Sequence, residues 1–585
     1  SRGLGDVYKR QVPMKVVIIG GVAGGATTAA RIRRLDENAQ IVILERTGYI
    51  SYANCGLPYY VGGEITDEEE LTLQTPASFY ARYRIDARVF SEAVKIDRAA
   101  RTVTVRNLRT GETYAETYDK LLLSPGAKAF VPQGAKTDDG RVFTLRTVED
   151  TLAIHGFVRE RGPERAVIVG GGFIGLELAE NLMRRGVRVT LIQRGVQVLA
   201  PFDADMAAFL HIELMRRGVD LRLDESFSAI GTEGGLTVQT DRGTYGADLA
   251  VIAVGVTPES DLARDAGLAL GLKGSIAVAA HMRTSDENIY AVGDAVEVRQ
   301  SVTGEKALIA LAGPANRQGR IAADNICGGD SVYRGSQGSS VLRVFSLTAA
   351  STGINEKTAR ALGLDYDKVV LSPLSHASYY PGAQVMTMKV LFERTGGKLL
   401  GAQIVGGEGV DKRIDVLATA IRAGMSAPEL KDLDLAYAPP YSSAKDPVNM
   451  AGYIIENVMT GKVRQFHVEE TDALARENRV TLLDTRTPRE YARGHAQGFI
   501  NIPLDELRER LGEVEKGKPV YVMCQSGLRS YLACRILAQN GYDCYNFSGG
   551  YRFYEAVHRG CAPGSSAYPC GMKKSRGASF HPDDA

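Results

Sequence analysis

The sequence predicts an α/β chain with two Rossmann-like nucleotide-binding domains, the second inserted into the first, and two further modules behind them. Three observations carry this. Apolar runs of the buried-strand kind lead twice into a glycine-rich turn and a helix, over Lys15 to Leu35 and over Arg165 to Arg185. A later strand-like run, Thr284 to Asp294, ends in Gly-Asp after the second motif, so the first domain is discontinuous. The 585 residues, at roughly 150 per domain, leave room for about four modules.

In the first domain, Lys15-Val16-Val17-Ile18-Ile19 runs into Gly20-Gly21-Val22-Ala23-Gly24-Gly25 and the helical Ala26 to Leu35. Strand, turn and helix place backbone N–H groups at a pyrophosphate. Gly20 and Gly25 match the outer glycines of GxGxxG, while Val22 stands where the middle glycine belongs. Glu45, followed by Arg46, ends the next strand, where a carboxylate accepts from ribose hydroxyls. The competing reading is a plain parallel-sheet turn. Thr27, Arg31 and Arg34 fall at i, i+4 and i+7, on one helix face. That face is either solvated or holds a second phosphorylated ligand, and spacing alone leaves both open.

Ser51-Tyr52-Ala53-Asn54-Cys55-Gly56 follows. Cys55 lies in a polar, glycine-flanked loop with no CxxC or CxxxxC partner. A lone cysteine is usually a small buried hydrophobe. Beside a flavin, a lone thiol can instead cycle between thiolate and a mixed disulfide. The neighbouring nucleotide motifs favour the redox role. Tyr118 to Ala127, a strand closing in Ser124-Pro125-Gly126, has the look of the point where a chain leaves an FAD domain.

The second turn, Gly170-Gly171-Gly172-Phe173-Ile174-Gly175, is a complete GxGxxG in strand–turn–helix context. The residue ending its next strand is Gln193, not an acid. An acid would favour NAD and repel the NADP phosphate; Gln193 removes the repulsion and Arg194 offers a positive partner. NADH or NADPH therefore stays open. Asp248 to Pro258, containing Gly255, closes the insertion. In Gly293-Asp294, Asp294 either holds a flavin ribityl chain or caps a helix. Two nucleotide motifs upstream favour FAD.

Composition narrows the rest. A formal net charge of +1 gives no reason to propose nucleic acid as a partner. No apolar run approaches the ~18–20 residues that span a membrane. Residues 1–13 lack the apolar core of a secretory signal and are expected to be disordered or non-native. Seven scattered cysteines, an odd number, fit a reducing cytoplasmic setting. Residues 561–585 are expected to be disordered. There, Cys561 and Cys570 with only His581 nearby make a poor metal site, so no metal is expected.

On these residues, Met14 to about Gly461 resembles the single-cysteine pyridine nucleotide–disulfide oxidoreductases, and most closely the coenzyme A-disulfide reductases. The first glycine turn with its valine is similar to that family's own. Ser51-Tyr52-Ala53-Asn54-Cys55 resembles its redox motif, with Tyr52 where phenylalanine is common. Leu311-Ala312-Gly313-Pro314-Ala315-Asn316-Arg317-Gln318-Gly319-Arg320 resembles its flavin-facing helix. The resemblance implies Cys55 as redox thiol and coenzyme A contacts at Thr27, Arg34, Ser51, Asn54 and Asn316. Arg31 stands where the family often has glutamine, and a longer basic contact is one reading of it. The resemblance also implies an α+β dimerisation domain from Val341 to about Gly461, hence a homodimer. Its aromatic loops are His376-Ala377-Ser378-Tyr379-Tyr380-Pro381-Gly382 and Tyr437-Ala438-Pro439-Pro440-Tyr441. By resemblance one tyrosine from each, Tyr379 or Tyr380 and then Tyr441, donates near the coenzyme A thiol; the alternative is packing.

From Val468 the pattern resets. Pro519-Val520-Tyr521-Val522-Met523 runs into Cys524-Gln525-Ser526-Gly527-Leu528-Arg529 and a helix. A thiol at a strand end, with a turn and helix N-terminus behind it, sits among N–H donors that favour an anion. This segment resembles an α/β rhodanese domain, and its loop has the short length of sulfur carriers rather than of phosphatases. Cys534 and Cys544 read as structural. The expected boundaries are 14–146 and 266–335 for the FAD domain, 147–265 for the NAD(P)H domain, 336–461 for dimerisation and 470–560 for the rhodanese domain.

The expected activity is FAD-dependent, NAD(P)H-driven reduction of coenzyme A persulfide, polysulfide or coenzyme A disulfide at Cys55, with Cys524 carrying sulfane sulfur. The alternatives are an NADH oxidase or peroxidase cycling through Cys55 sulfenic acid, and a non-catalytic redox sensor or sulfur-trafficking scaffold.

Overall fold

The computed structural model describes residues 13–477 and 479–560, which form two compact units. One holds residues 13–131, 143–162 and 254–336; the other holds 132–142, 163–253 and the described residues from 337 onward. Residues 1–12 and the tail with Cys561, Cys570 and His581 lie outside the described residues.

The first unit is built on a parallel sheet. Its strands are β1 (Lys15–Ile19), β2 (Gln40–Leu44), β3 (Asp86–Arg88), β4 (Lys120–Leu123) and a last one at Ile289–Ala291. The order is Ile289–Ala291, β4, β1, β2, β3, with Ile18 opposite both Ile43 and Leu122. These strands read as unbroken apolar runs because both faces are covered; Val16, Val17, Ile18, Ile43, Leu121 and Leu122 are all buried. Strand order reverses at β1 and β4, so their following loops part and open a crevice. Helix α1 (Ala23–Leu35) packs on helix Ala312–Ile326 almost backbone to backbone: a Cβ on Gly319 would meet the Gly24 carbonyl at 2.6 Å.

Helix Val148–Arg161 and residues 254–265 belong to this unit, whereas sequence alone had placed them with the insertion. Long-range pairing explains the difference. Ala127–Ala129 pairs antiparallel with Val256–Pro258, and Arg46 forms a two-bond ion pair with Glu259 (2.5 and 2.7 Å).

Besides a small three-stranded antiparallel sheet (Phe227–Gly231, Leu236–Thr240, Thr244–Ala247), the second unit contains three larger sheets. The first has β5 (Arg165–Val169), α2 (Phe173–Arg184), β6 (Arg188–Gln193), α3 (Ala204–Arg216), β7 (Asp220–Leu223) and β8 (Leu249–Ile252), with parallel strands ordered β7-β6-β5-β8. The second is antiparallel, ordered β9 (Ser340–Val344), β10 (Leu347–Gly353), β13 (Leu399–Gly406), β12 (Met386–Glu393), β11 (Tyr366–Leu371). Apolar residues of α4 (Val410–Ala423) and α5 (Pro447–Met459) share its core. The third is parallel, ordered β14 (Arg464–Phe466), β18 (Cys544–Phe547), β17 (Val520–Met523), β15 (Thr481–Asp484), β16 (Ile500–Asn501). It carries α6 (Pro488–Arg493), α7 (Leu528–Gln539) and α8 (Gly550–Arg559).

The segment after Gly461 is no loose tether. β14 is an edge strand of the third sheet, paired with β18. Side chains then bind that sheet to β11: Val370 N–H donates to Ser548 Oγ (2.9 Å) and Gln465 Nε2 to the Lys368 carbonyl (2.7 Å). On α3, buried His211 accepts Val198 N–H at Nε2 (3.1 Å) and donates from Nδ1 to the Gly560 carbonyl (2.8 Å). Burial pushes this imidazole down to about 4, so it stays neutral and keeps both bonds.

An ion cluster joins the same parts. The Lys389 ammonium, 0% exposed, meets Asp203 (3.0 Å), Asp205 (2.8 Å) and Glu356. Lys368 meets Glu356 (2.9 Å) and Glu469 (2.7 Å). Asp203, Asp205 and Glu356 are close enough together to hold a metal ion, but the Lys389 ammonium already supplies a cation to all three.

Candidate active site

The first glycine turn is bare of side chains for steric reasons. Gly20 has φ +95°, and a Cβ there would lie inside the Ser124 carbonyl that ends β4. A Cβ on Gly25 would overlap the Gly20 carbonyl, and one on Gly24 would meet Ser124 Oγ and Val292 at 2.8 Å. Gly21 N–H donates to Glu45 Oε2 (2.9 Å), and Glu45 Oε1 accepts from Thr47 N–H and Oγ1 (both 2.9 Å). Buried Glu45 is thus locked in place, with its spare lone pairs left for a ribose. Ser124-Pro125-Gly126 and Gly293-Asp294 end the two strands on the other side of β1. Gly293 N–H donates to buried Gln318 (2.8 Å), and Asp294 pairs with Arg146 (2.5 Å). These residues fit a dinucleotide laid across the end of the sheet. Sequence reading did not single out Arg146 or the role of Gln318; neither carries a local signal.

Cys55 is pinned to this turn. Ser51 has φ +47°, uncommon for a side-chain-bearing residue, and its N–H donates to the Gly21 carbonyl (2.8 Å). Leu73 N–H donates to the Ser51 carbonyl (3.0 Å), and Tyr52 bridges to Thr72. Asn54–Gly56 then forms a short helical turn that leaves Cys55 exposed. Burial pushes the Tyr52 hydroxyl well above the usual phenol range, so it stays protonated.

Beside the turn, the proposed coenzyme A face separates into distinct roles. Thr27 Oγ1 donates to Asn316 Oδ1 (2.5 Å), bringing together two residues 289 apart. Arg31 does not face solvent alone: its Nε donates to Asp324 (2.8 Å). Arg34 is exposed and has no carboxylate partner among the described residues. Between them, buried Arg33 donates to five backbone carbonyls and serves the fold.

The second turn repeats the first in the other unit. Gly170 has φ +115°, and a Cβ on Gly175 would overlap its carbonyl. Gly172 faces open space, with nothing within 4 Å of a Cβ, as a backbone approached by a pyrophosphate requires. Gln193 Oε1 accepts Gly171 N–H (2.9 Å), the position Glu45 holds in the first unit. Arg194 is exposed. Gly255, with φ +125°, belongs to the first unit.

The aromatic loops lie in the second unit. The Tyr379 and Tyr437 hydroxyls meet at 2.6 Å. Tyr379 is 73% exposed; Tyr380 instead sets an edge against buried His376 (centroids 5.6 Å). Tyr441, singled out by resemblance, is exposed and has no hydroxyl bond in this network; Tyr437 is the member of its loop that pairs. Buried Arg413 ties the two loops together through the Ser375 (2.9 Å) and Tyr441 (3.3 Å) carbonyls and Asp446 (3.0 Å). A cavity of 520 Å³ opens here, lined by His376, Glu408, Lys412, Arg413, Tyr437 and Tyr441.

Cys524 ends β17 and is 0% exposed. Its Sγ accepts from Gly527 N–H and Ser530 Oγ, both at 3.2 Å. Gly527 has φ +99°, which turns the chain from the loop into α7. The start of α8 closes on the loop: a Cβ on Gly550 would meet Ser526 N at 2.5 Å, and Tyr551 N–H donates to the Cys524 carbonyl (2.7 Å). Buried Arg486 pairs with Asp484, touches Gln525 Oε1 (3.4 Å) and stacks on Tyr551 (3.8 Å). Arg529 donates both terminal nitrogens to Glu490 (2.8 and 2.7 Å). Cys534 and Cys544 are buried in the domain core, and the Cys544 thiol donates to the Cys534 carbonyl (3.3 Å).

Known families match successive parts of the chain. The pyridine nucleotide-disulphide oxidoreductase family matches residues 14–319, its dimerisation domain residues 340–447, and the rhodanese-like domain residues 467–556. A Staphylococcus epidermidis coenzyme A disulfide reductase is 37% identical over 440 residues, which cover 75% of this chain and 99% of that protein. The structure of reduced Bacillus anthracis CoADR-RHD shares 47% identity at a TM-score of 0.91, over 94% of this chain and 98% of that one. A NAD-dependent persulfide reductase from A. fulgidus shares 38% identity at a TM-score of 0.87, over 92% and 100%. No helix among the described residues is long and apolar enough to cross a membrane. The chain belongs to the pyridine nucleotide-disulphide oxidoreductase family, with that family's dimerisation domain and a rhodanese-like domain following it.

Proposed function

We propose that the protein reduces the sulfur–sulfur bond of coenzyme A persulfide, with polysulfide and coenzyme A disulfide as further substrates, and that Cys524 carries sulfane sulfur to coenzyme A. The observation that carries this is the pinning of Cys55 to the first glycine turn by Ser51 N–H, beside the Thr27–Asn316 pair and exposed Arg34. The relatives named for coenzyme A disulfide and persulfide reduction support it. The family uses FAD and NAD(P)H, which supply a hydride and pass its two electrons to a disulfide.

Cys55 thiolate attacks the sulfur attached to coenzyme A. The S–S bond breaks, hydrosulfide leaves, and a Cys55–coenzyme A disulfide forms. Two electrons and a proton then return Cys55 thiolate and release coenzyme A thiol. Arg34 binds phosphate, Thr27 and Asn316 orient the arm, and Ser51 and Asn54 flank the thiol. The exposed Tyr379–Tyr437 pair suits proton donation to the departing thiolate, and its place in the dimerisation module fits a homodimer in which each copy completes the other's site. Intact-mass spectrometry tests the proposal: the purified protein should carry a reducible adduct of coenzyme A mass on Cys55. A Cys55 sulfenic acid without any coenzyme A adduct would support an oxidase instead.

Because Arg31 is committed to Asp324, the phosphate contact falls on Arg34. Arg34→Ala should raise KM for coenzyme A persulfide about tenfold or more, the worth of one charge-assisted hydrogen bond, and spare small persulfides lacking phosphate. Equal losses on both substrates count against the assignment.

Gln193 accepts Gly171 N–H without bringing charge. The wild type should use both NADH and NADPH. Gln193→Glu keeps the acceptor, adds repulsion toward a 2′-phosphate, and should weaken NADPH about tenfold while sparing NADH. Strong rejection of NADPH by the wild type would place the selectivity elsewhere.

A further inference from the structure

We propose that Arg552 is a specificity-determining residue of the Cys524 site: its guanidinium takes the anionic group of the sulfur donor while the donor's sulfur is handed to Cys524. This rests on the sulfur-carrier reading of Cys524 given above. The start of α8 lies on the Cys524 loop. Tyr551 N–H donates to the Cys524 carbonyl (2.7 Å) and Arg552 N–H to the Gln525 carbonyl (3.2 Å), so the Arg552 side chain springs from the rim of the loop. A Cβ on Gly550 would meet Ser526 N at 2.5 Å, so backbone contact sets this position. Two other guanidiniums touch the loop, and both are taken. Arg529 puts its terminal nitrogens on Glu490 (2.8 and 2.7 Å), and buried Arg486 pairs with Asp484 (2.7 Å). The Arg552 guanidinium has no carboxylate, carbonyl or ring partner among the described residues.

An arginine without a partner is ordinary on an open surface. Arg552 differs: part of the residue is in solvent, yet neighbouring atoms crowd its guanidinium, and this burial pushes it below its ordinary range. Glu555, the acid that acts on it from one turn along α8, lies against Arg559 (3.6 Å). A guanidinium stays cationic in proteins, so a partly desolvated one left unpaired carries a cost that an incoming anion removes. Carboxylate and sulfonate oxygens both suit its fork of N–H donors.

The reaction balances without a further reagent. Cys524 thiolate attacks the outer sulfur of R–S–SH, the S–S bond breaks, Cys524 persulfide forms, and RSH leaves with the proton. With thiosulfate the same attack expels sulfite. In both cases the anion on Arg552 belongs to the leaving group and departs with it.

The test uses the full chain carrying Cys55→Ser, so that reduction does not compete, and follows Cys524 persulfide by intact mass. The donors are the persulfides of mercaptopropionate, mercaptopropanol and mercaptopropylamine, which share an arm and differ in charge, together with thiosulfate. With Arg552 present, the propionate persulfide should load about tenfold faster than the neutral one, the worth of one charge-assisted hydrogen bond, and the amine slower still. Arg552→Gln should bring the anionic donor to within about twofold of the neutral one, whose own loading stays unchanged, and Arg552→Lys should retain the preference. A fall of thiosulfate loading in Arg552→Gln extends the site to sulfonates; an unchanged thiosulfate rate confines it to carboxylates on the donor's arm. Charge discrimination is a readout that mere loosening of α8 would not move. Loading blind to donor charge with Arg552 present overturns the proposal and leaves the carrier reading standing; so does a folded Arg552→Gln that keeps the preference. Failure of every donor to load Cys524 overturns both.

Discussion

Cys55→Ser should abolish NAD(P)H-driven reduction of every persulfide and disulfide, while sulfur transfer at Cys524 should continue. This is the largest functional effect expected of any single substitution. Serine cannot form the mixed disulfide through which electrons reach the substrate, and no second cysteine lies within a disulfide motif of position 55. The Cys55 turn is held by backbone bonds from Ser51, so the substitution leaves the turn and its nucleotide site in place. Cys524→Ser does the reverse. Coenzyme A persulfide supplied ready-made is still reduced, but donors that must first load Cys524 are not. Backbone and side-chain bonds from Ser548, Gln465 and His211 hold the Cys524 domain within its own unit. In the proposed reaction the coenzyme A arm supplies the mobility that sulfur delivery needs. The decisive assay is NADH oxidation by Cys524→Ser with preformed coenzyme A persulfide; near-zero turnover with FAD fully bound would mean that sulfur has to pass through Cys524.

Lys389→Met costs the second unit about 3–5 kcal/mol, the range for removing one partner of a buried ion pair. Methionine fills much of the volume but leaves Asp203, Asp205 and Glu356 crowded without their shared cation. At about 1.5 °C per kcal/mol for a unit of roughly 330 residues, the thermal midpoint should fall by about 4–8 °C. A midpoint within about 1 °C of wild type would show the cluster to be energetically idle.

The sign of the pH dependence follows from the same groups. The lysines hold the Glu356 carboxyl well below its ordinary 4.5, so its contribution is present above that value and is lost as pH falls through the depressed one. The carboxylates hold Lys389 well above its ordinary 10.5, so its contribution is present below that value and is lost only as pH rises through the raised one. Burial pushes Asp205 up, which offsets part of that loss on acidification. Stability of this unit should therefore be flat across neutral pH and fall in acid. His211 adds to the acid loss, since its contribution is present above the ordinary 6.5 and is lost as pH falls from there to about 4, where the imidazole that accepts the Val198 N–H is protonated.

Much of the site was legible because its chemistry is local. A strand, a glycine turn and a helix must be contiguous to present N–H groups to a pyrophosphate, so Gly20 to Gly25 and Gly170 to Gly175 announce themselves in a few residues. The Cys524 loop is equally compact. Val22 in place of a glycine did not spoil the first turn, because the close approaches are made by Gly20, Gly24 and Gly25.

What sequence alone determined is the set of glycine turns, the two loops proposed to carry the reactive thiols and the order of modules, all encoded within contiguous segments. Tertiary structure decided which polar groups are free to act. Only folding shows that Arg31 is bound to Asp324 while Arg34 is exposed, and that the Tyr437 hydroxyl meets that of Tyr379. Only folding neutralises Arg529 with Glu490, 39 residues away, and gathers Asp203, Glu356 and Lys389 into one buried cluster. Charges and hydroxyls carry no periodic signal. Their partners are chosen by packing of distant segments, where an unpaired buried group is costly enough to select the pairing that the apolar core permits.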